Sequence, residues 1–345
     1  MIIKMSPANE IRYKPSDINI PEEILRDLQG LSPRTSMLWL ALSWAQIILL
    51  LFSFRYFLPE EYFWPFYVPF IFLIAGRMGA LLQLLHEAAH SMLSKSKKVN
   101  DFIARWFCAL PVGVNFEGYV TGHLRHHAYT GTENEPETDY EKYRVSDIRS
   151  PTLYLLLIKD LMGLTALFVF FNYTKGRENR GRKETGSKLN WFSLCLNLSK
   201  LGATQMLILG IIFQFQILDY ILLWIIPAVS PHMFLMRIRG IAEHGLSKQI
   251  GVETSQTSEG MFYTRSLLTS QNEYRYQIFN WIERILIGSL AVNYHHEHHL
   301  FPKVPFYNLT RLHTYIADQV VQKNPAVYAS GYFAATMKNL LPERR

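Results

Sequence analysis

MLWLALSWAQIILLLFSF, residues Met37–Phe54, runs for 18 residues without a charge. That is long enough to cross the roughly 30 Å hydrocarbon layer of a bilayer as one helix. Pro59–Trp64, PEEYFW, follows as a short acidic turn, and Pro65–Leu85 is a second apolar segment broken only by Arg77. The pair reads as a transmembrane hairpin with Tyr62, Trp64 and Tyr67 at interfacial depth. A second pair lies further on, Leu201–Phe213 and Ile217–Val229, separated by Gln214-Phe215-Gln216. Extended into their flanks, each reaches about 20 residues. A soluble core of buried helices is the competing reading, but two apolar hairpins fit poorly in a soluble domain of 345 residues.

The fold expected is therefore an all-α membrane protein with four transmembrane helices in two hairpins, at about 37–57, 65–85, 193–214 and 217–236. Composition agrees: 49% of residues are apolar and 18% charged, where soluble domains carry about 25% charge. Disordered chains, collagen-like fibres and small disulfide scaffolds are excluded. With only Cys108 and Cys195, there is no disulfide or thiolate metal framework. The net charge is +7, yet no basic tract is interleaved with aromatics, so no nucleic-acid partner is expected.

Residues 1–36 balance five Lys/Arg against five Asp/Glu and carry four prolines. They read as an N-terminal cytoplasmic arm with one helical piece, Pro21–Leu28. Residues 37–315 form the membrane domain and 316–345 a C-terminal cytoplasmic tail. Two further apolar segments, about 101–111 and 151–172, read as interfacial or re-entrant helices. The first is too short to span, and the second holds Lys159-Asp160 near its middle, a pair whose charges favour water.

Ten of the 12 histidines fall in four stretches: His86/His90, His123/His126/His127, His244, and His295/His296/His298/His299. HEAAH places His86 and His90 on one helical face. GHLRHH (Gly122–His127) and NYHHEHH (Asn293–His299) each present three rings within one helical turn, and His296 lies off that face as an outer or surface histidine. One ion takes four to six ligands, so eight or nine converging imidazoles imply two ions, and composition does not separate zinc from iron. Sharing ions requires all these histidines on one side of the membrane, hence an even number of crossings between them. Six Lys/Arg against two acids between Lys175 and Lys188 place that side, with both termini, in the cytoplasm. The result is a cytoplasmic helical cap carrying a histidine-rich dimetal site.

The order HxxxH, HxxHH, HxxHH on a four-span layout resembles the integral-membrane fatty acid desaturase and hydroxylase superfamily. The local match is NYHHEHHLFPKVP (Asn293–Pro305), with HEAAH at His86–His90 and GHLRHHAYT at Gly122–Thr130. The resemblance covers roughly residues 37–315. It implies a non-haem centre of two Fe with O2 as co-substrate. Its ligands would be His86 and His90 from the first box, His123, His126 and His127 from the second, and His295, His298 and His299 from the third. In RGIAEHG, His244 matches the isolated ninth ligand, with Gly245 placed to end its helix.

Glu87, Glu243 and Glu297 are the acids nearest the boxes and are candidates to orient metal-bound rings. Asn293 is a candidate by proximity for the water-mediated asparagine of some family members. Glu133, Glu135, Glu137 and Asp139 follow the second box. Three residues intervene in the first box, as in many acyl-lipid desaturases, and no His-Pro-Gly-Gly haem motif is present. Electrons are thus expected from a separate ferredoxin or membrane-associated cytochrome.

The resemblance implies O2-dependent desaturation of a long acyl chain, linked in a membrane lipid. Hydroxylation of a lipid or carotenoid is the same-class alternative. A metal transporter or sensing scaffold would need ionisable residues within its spans, and these spans hold almost none.

Overall fold

The computed structural model describes residues 15–130, 151–174, 191–244, 264–268, 281–324 and 327–340. In order, the helices named below are α1 (Glu22–Leu28), α2 (Pro33–Tyr56), α3 (Phe63–Ala89), α4 (Lys97–Ile103), α5 (Phe116–Tyr129), α6 (Pro151–Leu161) and α7 (Leu164–Thr174). They continue with α8 (Trp191–Ile211), α9 (Ile217–His244), α10 (His295–Leu300), α11 (Phe306–Lys323) and α12 (Tyr332–Leu340). Two short strands, β1 (Ser266–Leu267) and β2 (Tyr328–Ala329), pair in parallel. Among the described residues the fold is otherwise helical, and α2, α3, α8 and α9 are long and apolar enough to cross a membrane.

Ser32 caps α2, its Oγ accepting from the Thr35 N–H, and Pro33 opens the first turn, where a missing N–H costs nothing. One face of α2 buries Ile47, Leu51 and Phe54 against Phe70, Ile74, Met78 and Leu81 of α3, with Phe54 and Phe70 stacked at 4.0 Å. The other face leaves Leu38, Leu42, Leu49 and Phe52 exposed, an apolar surface suited to lipid.

Helix α3 is the central element. At Gly76 a Cβ would sit 2.7 Å from the Ile285 carbonyl oxygen, so only glycine admits the backbone of 285–286 there. Next to it, Arg77 donates to the Ile285 carbonyl, to Ser289 Oγ at 2.8 Å and to Gln46 Oε1 at 3.0 Å. The lone charge of the second apolar segment thereby acquires partners.

The segment expected at about 101–111 consists of α4, a π-helical turn at Ala104–Ala109 and a 3-10 turn at Leu110–Val112. Its carbonyls accept from three long helices: Phe107 from Trp44 Nε1 at 3.0 Å, Leu110 and Pro111 from Gln205 Nε2, and Pro111 also from Trp224 Nε1 at 3.2 Å. These donors satisfy an irregular backbone packed among apolar helices.

The segment at 151–172 is a bent pair, α6 and α7 meeting at 79° with Gly163 at φ +73° in the bend. Here the sequence argument from Lys159-Asp160 needs correction. Lys159 is exposed, but Asp160 is fully buried. Its carboxylate accepts from Nε and a terminal nitrogen of Arg237 on α9 and from Thr165 Oγ1 at 2.5 Å. The acid leaves water because α9 presents a guanidinium to it.

Helix α9 runs on from the span expected at about 217–236 to His244, with a π-helical turn at Ile221–Ile225. It breaks at Ser230 before Pro231, which lacks an N–H to continue the ladder. One expected boundary, at 315, also shifts. Helix α11 passes straight through position 315, and α12 buries Tyr332 and Ala335 against Leu235, Ile238 and Ala242, so the described part of 316–345 is packed structure and not a tail. The described part of the N-terminal arm is docked as well. Ile18 and Leu28 are buried with Leu312 and Ile316, and the Leu28 carbonyl accepts from Asn308 at 2.8 Å. Residues Lys175–Lys188, Gly245, and the acids at 133, 135, 137 and 139 lie outside the described residues.

Asp160→Ala should remove the buried carboxylate that faces the Arg237 guanidinium and destabilise the fold by about 3–5 kcal/mol. Lys159→Ala should change stability by no more than about 0.5 kcal/mol. Thermal unfolding in detergent would compare them, and equal effects would contradict the buried pair.

Candidate metal centre

Each histidine stretch arrives on a helix end or a short helix. His86 occupies the last turn of α3 and His90 is its C-terminal cap; Ser91, at φ +61°, then turns the chain away. Helix α5 starts where Asn115 Oδ1 accepts from the Gly118 N–H at 2.6 Å, and it carries His123, His126 and His127. His244 is the last residue of α9. The six residues of α10 hold His295, His296, His298 and His299.

These elements bring nine histidines into two groups. His86, His90, His123, His127 and His298 form one, and His126, His244, His295 and His299 the other, with donor atoms in each group within 4.8 Å of one another. The groups adjoin, since the rings of His127 and His299 stack at 4.1 Å. Each HxxHH box divides the same way. Its i,i+4 pair goes to one group and its i+3 ring to the other, with the groups exchanged between boxes. At 100° per residue the i and i+4 rings lie about 40° apart, and the i+3 ring points to the other side of the first.

The nitrogens are spaced as ligands of shared ions would be. His90 and His123 Nε2 atoms lie 2.9 Å apart, His244 and His295 3.0 Å, and His127 and His298 3.1 Å. Two nitrogens each about 2.0–2.1 Å from one ion, at right angles to each other, would sit roughly 3 Å apart. The donor set also leaves buried atoms wanting. Among the described residues, His86 Nε2, His298 Nδ1 and both nitrogens of His299 have no hydrogen-bond partner, an expensive condition for a protein interior. Burial first, and neighbouring imidazoles second, push His123, His295, His298 and His299 well below the ordinary imidazole value, and burial lowers His90 to about 4. These rings are neutral at pH 7, the form that binds metal. Two transition-metal ions fit the residues present.

Carboxylates back two of the rings. Glu243 Oε2 lies 3.5 Å from His295 Nδ1, and Glu87 Oε1 lies 3.6 Å from His86 Nδ1. Both gaps are wider than a hydrogen bond; a carboxylate so placed would draw the ring proton to Nδ1 and favour Nε2 as the donor toward the group. The other proposed orienters stand elsewhere. Glu297, on the opposite side of α10, accepts from Ser266 Oγ and from His313 Nδ1 at 2.5 Å. The contact of Asn293 is a backbone one, its carbonyl accepting from the Leu267 N–H at 2.8 Å. His296 is buried, not a surface residue, and its Nδ1 meets Thr264 Oγ1 at 2.8 Å.

Several residues of the site were not foreseen. Gln83 Nε2 approaches His86 Nδ1 at 3.2 Å, and Arg239 Nε lies 3.0 Å from both oxygens of Glu243. Their i−3 and i−4 spacings were legible. The Tyr332 hydroxyl, which donates to Glu243 Oε1 at 3.2 Å, comes from 89 residues away and left no local signal.

A family model described as "Fatty acid desaturase" matches residues 62–331. The chain is 26% identical over 262 residues to dihydrorhizobitoxine desaturase of Bradyrhizobium elkanii, covering 71% of this chain and 66% of that protein. It is 25% identical over 277 residues to an endoplasmic-reticulum omega-3 fatty acid desaturase of Vigna radiata var. radiata, covering 72% and 63%. It is 23% identical over 261 residues to sn-1 oleoyl-lipid 12-desaturase of Arthrospira platensis, covering 71% and 66%. The chain thus spans a little under two thirds of the length of these curated relatives.

The lowered histidine values give a signed pH dependence. The unfolded chain takes up protons near pH 6.5, and the folded site only well below it. Stability and metal retention should therefore be full above 6.5 and fall as the pH drops from 6.5 toward the lowered folded values. Metal content after desalting, and melting temperature in detergent, should both decline between pH 7 and pH 5. Flat profiles would contradict the buried neutral histidines.

Proposed function

This chain belongs to the fatty acid desaturase family, and from that premise we propose that it desaturates a long acyl chain carried in a membrane lipid. It uses a di-iron centre held by the nine clustered histidines, with O2 as co-substrate. The observation that carries this reading is the pair of adjoining, sulfur-free histidine groups with five and four donors. That donor set suits iron, and nine rings exceed what one ion coordinates. The names of the three relatives, all desaturases, favour loss of hydrogen over hydroxylation, and two of them name an acyl substrate.

In the balanced reaction the acyl chain loses two hydrogens across one C–C bond. Two electrons and two protons from outside complete the reduction of one O2 to two waters. Iron, when bound, supplies the oxygen activation needed to break an unactivated C–H bond. The protein's own part is placement. His86, His90, His123, His127 and His298 would hold one ion, and His126, His244, His295 and His299 the other. Glu87 and Glu243 face the Nδ1 atoms of His86 and His295 and would orient those rings. Burial of these rings keeps them neutral and limits access of bulk water. The apolar helices below the site would hold the acyl chain, its register deciding which bond is oxidised. Electrons come from a separate ferredoxin or membrane-associated cytochrome.

The site is read as cytoplasmic, with both termini on the same side. Helices α3 and α9 both end at the histidines, which supports two hairpins, α2–α3 and α8–α9, and a bent α6–α7 pair that does not cross. In a variant without Cys108 and Cys195, single cysteines at Lys95, Gly181 and Gln322 should resist an impermeant thiol reagent in intact cells, and one at Glu61 should label. External labelling at Gly181 with protection at Lys95 would show that the bent pair crosses.

Expression in a host of defined lipid composition, followed by mass analysis of total acyl chains and carotenoids, tests the reaction. A product 2 Da lighter supports desaturation, whereas one 16 Da heavier identifies hydroxylation. The purified protein should carry about two iron per chain, and His299→Ala should abolish turnover while His296→Ala is milder. Full activity with one ion, or with zinc alone, would defeat the di-iron reading.

A further inference from the structure

The C-terminal segment is tied to the metal centre by a chain of contacts that the box histidines do not explain. Glu283 is buried, and its two carboxylate oxygens accept from the Tyr332 and Phe333 backbone N–H groups at 2.9 Å each. It thus satisfies the free donors at the start of α12. Gly331 makes room for this, since a Cβ there would meet Glu283 Oε2 at 2.6 Å, and at φ +73° the position already favours glycine. The strand pair Ser266–Tyr328 and Leu267–Ala329 fixes the approach. Arg265 N–H on that first strand's lead-in donates to the Glu243 carbonyl at 2.7 Å. Anchored in this way, Tyr332 is 2% exposed, and its hydroxyl reaches Glu243 Oε1 at 3.2 Å.

Glu243 sits between three groups. Arg239 Nε is equidistant from both carboxylate oxygens at 3.0 Å, so by itself it does not decide how the carboxylate is rotated. The Tyr332 hydroxyl engages Oε1 and so leaves Oε2 facing His295 Nδ1 at 3.5 Å. The other histidine group has the same arrangement with a different donor. Glu87 Oε2 accepts from the Phe306 N–H at 3.0 Å while Oε1 faces His86 Nδ1. In each group, then, one carboxylate oxygen is held by a donor from the last fifth of the chain and the other is presented to a histidine ring.

We propose that Tyr332 is a positioning residue for the four-histidine group: held by Glu283 at the start of α12, its hydroxyl fixes the Glu243 carboxylate and, through it, the tautomer and orientation of His295. This rests on the reading that the histidine groups bind two irons. Removing the hydroxyl should loosen one metal site and leave the other unchanged, because His86 and Glu87 are held separately. Partners of this outer kind are worth about 10–100-fold in metal affinity, and a hydroxyl one contact further out should lie at the lower end.

The test uses full-length protein loaded with 57Fe. Mössbauer spectra of the wild type should resolve two iron environments. In Tyr332→Phe one environment should shift and the other stay, with one iron per chain lost to a chelator about 10-fold faster than in the wild type. Glu283→Gln, which keeps an acceptor for only part of the anchor, should change the same environment by less, and it serves as the second variant should Tyr332→Phe fold poorly. Thr336→Val on the same helix removes a hydroxyl contact to the Ile238 carbonyl without touching Glu243, and both environments should stay as in the wild type. Unchanged spectra and chelator rates in both Tyr332→Phe and Glu283→Gln would overturn the positioning role. So would equal shifts of both irons accompanied by the same shifts in Thr336→Val, which would make α12 a packing element. A wild type that binds no iron pair would instead defeat the di-iron reading, and this proposal with it.

Discussion

Nine imidazoles, drawn from four separate stretches of chain, share one buried volume, and that convergence governs the rest of the structure. Buried ring nitrogens without partners are costly, on the order of 1–3 kcal/mol for each unsatisfied group. His299 alone has two of them. Protonation offers no escape either: burial first, and the charge set against neighbouring rings second, drive the values of His123 and His298 down together. Ions that accept several nitrogens at once resolve both difficulties. Metal binding and the folding of the histidine-bearing elements are thereby coupled.

The architecture follows from what it takes to bring those rings together. A spanning helix can offer histidines to a surface site only from its end, and α3 and α9 each extend past their most apolar stretch to do so. The remaining rings need short elements that can be angled freely, namely α5 and the six-residue α10. Such short helices have little stability of their own, so they are held by contacts outside the boxes. Segment 264–268 supplies many of these. Thr264 meets the His296 ring, Ser266 Oγ accepts from the His296 N–H, and Leu267 donates to the Asn293 carbonyl. The same segment pairs with Tyr328–Ala329 and so draws the C-terminal helix onto α9.

What could be read from the sequence divides along a physical line. Features set by local periodicity were legible: the four apolar runs, the i,i+3 and i,i+4 histidine spacings, and the carboxylates adjacent to His86 and His244. Adjacency in sequence does not place Glu297 at the metal rings, because position 297 lies on the opposite side of a short helix, facing Ser266 and His313. Features set by contacts between distant segments were not legible. Asp160 reads as a charge seeking water until Arg237, 77 residues on, lies against it. Position 315 reads as the end of a domain until α11 runs through it and α12 packs against α9.

The same accounting explains the irregular segment at 104–112. A π-helical turn followed by a 3-10 turn frees carbonyls that a regular helix would bond internally, and in an apolar interior each needs another donor. Trp44, Gln205 and Trp224 supply them from α2, α8 and α9. Gln205 is itself held by the Tyr220 hydroxyl at 2.8 Å. The segment is therefore pinned from three helices at once, while Ala104, Cys108 and Ala109 pack with Leu84, Leu85 and Ala88 just below the first histidine pair. Its depth relative to His86 and His90 is set by hydrogen bonds rather than by apolar contact alone. Relatives that share the family are named for different substrates, so discrimination among substrates falls to the surroundings of the metal centre. A polar-pinned segment with fixed depth is a firmer boundary for those surroundings than a sliding apolar contact would be.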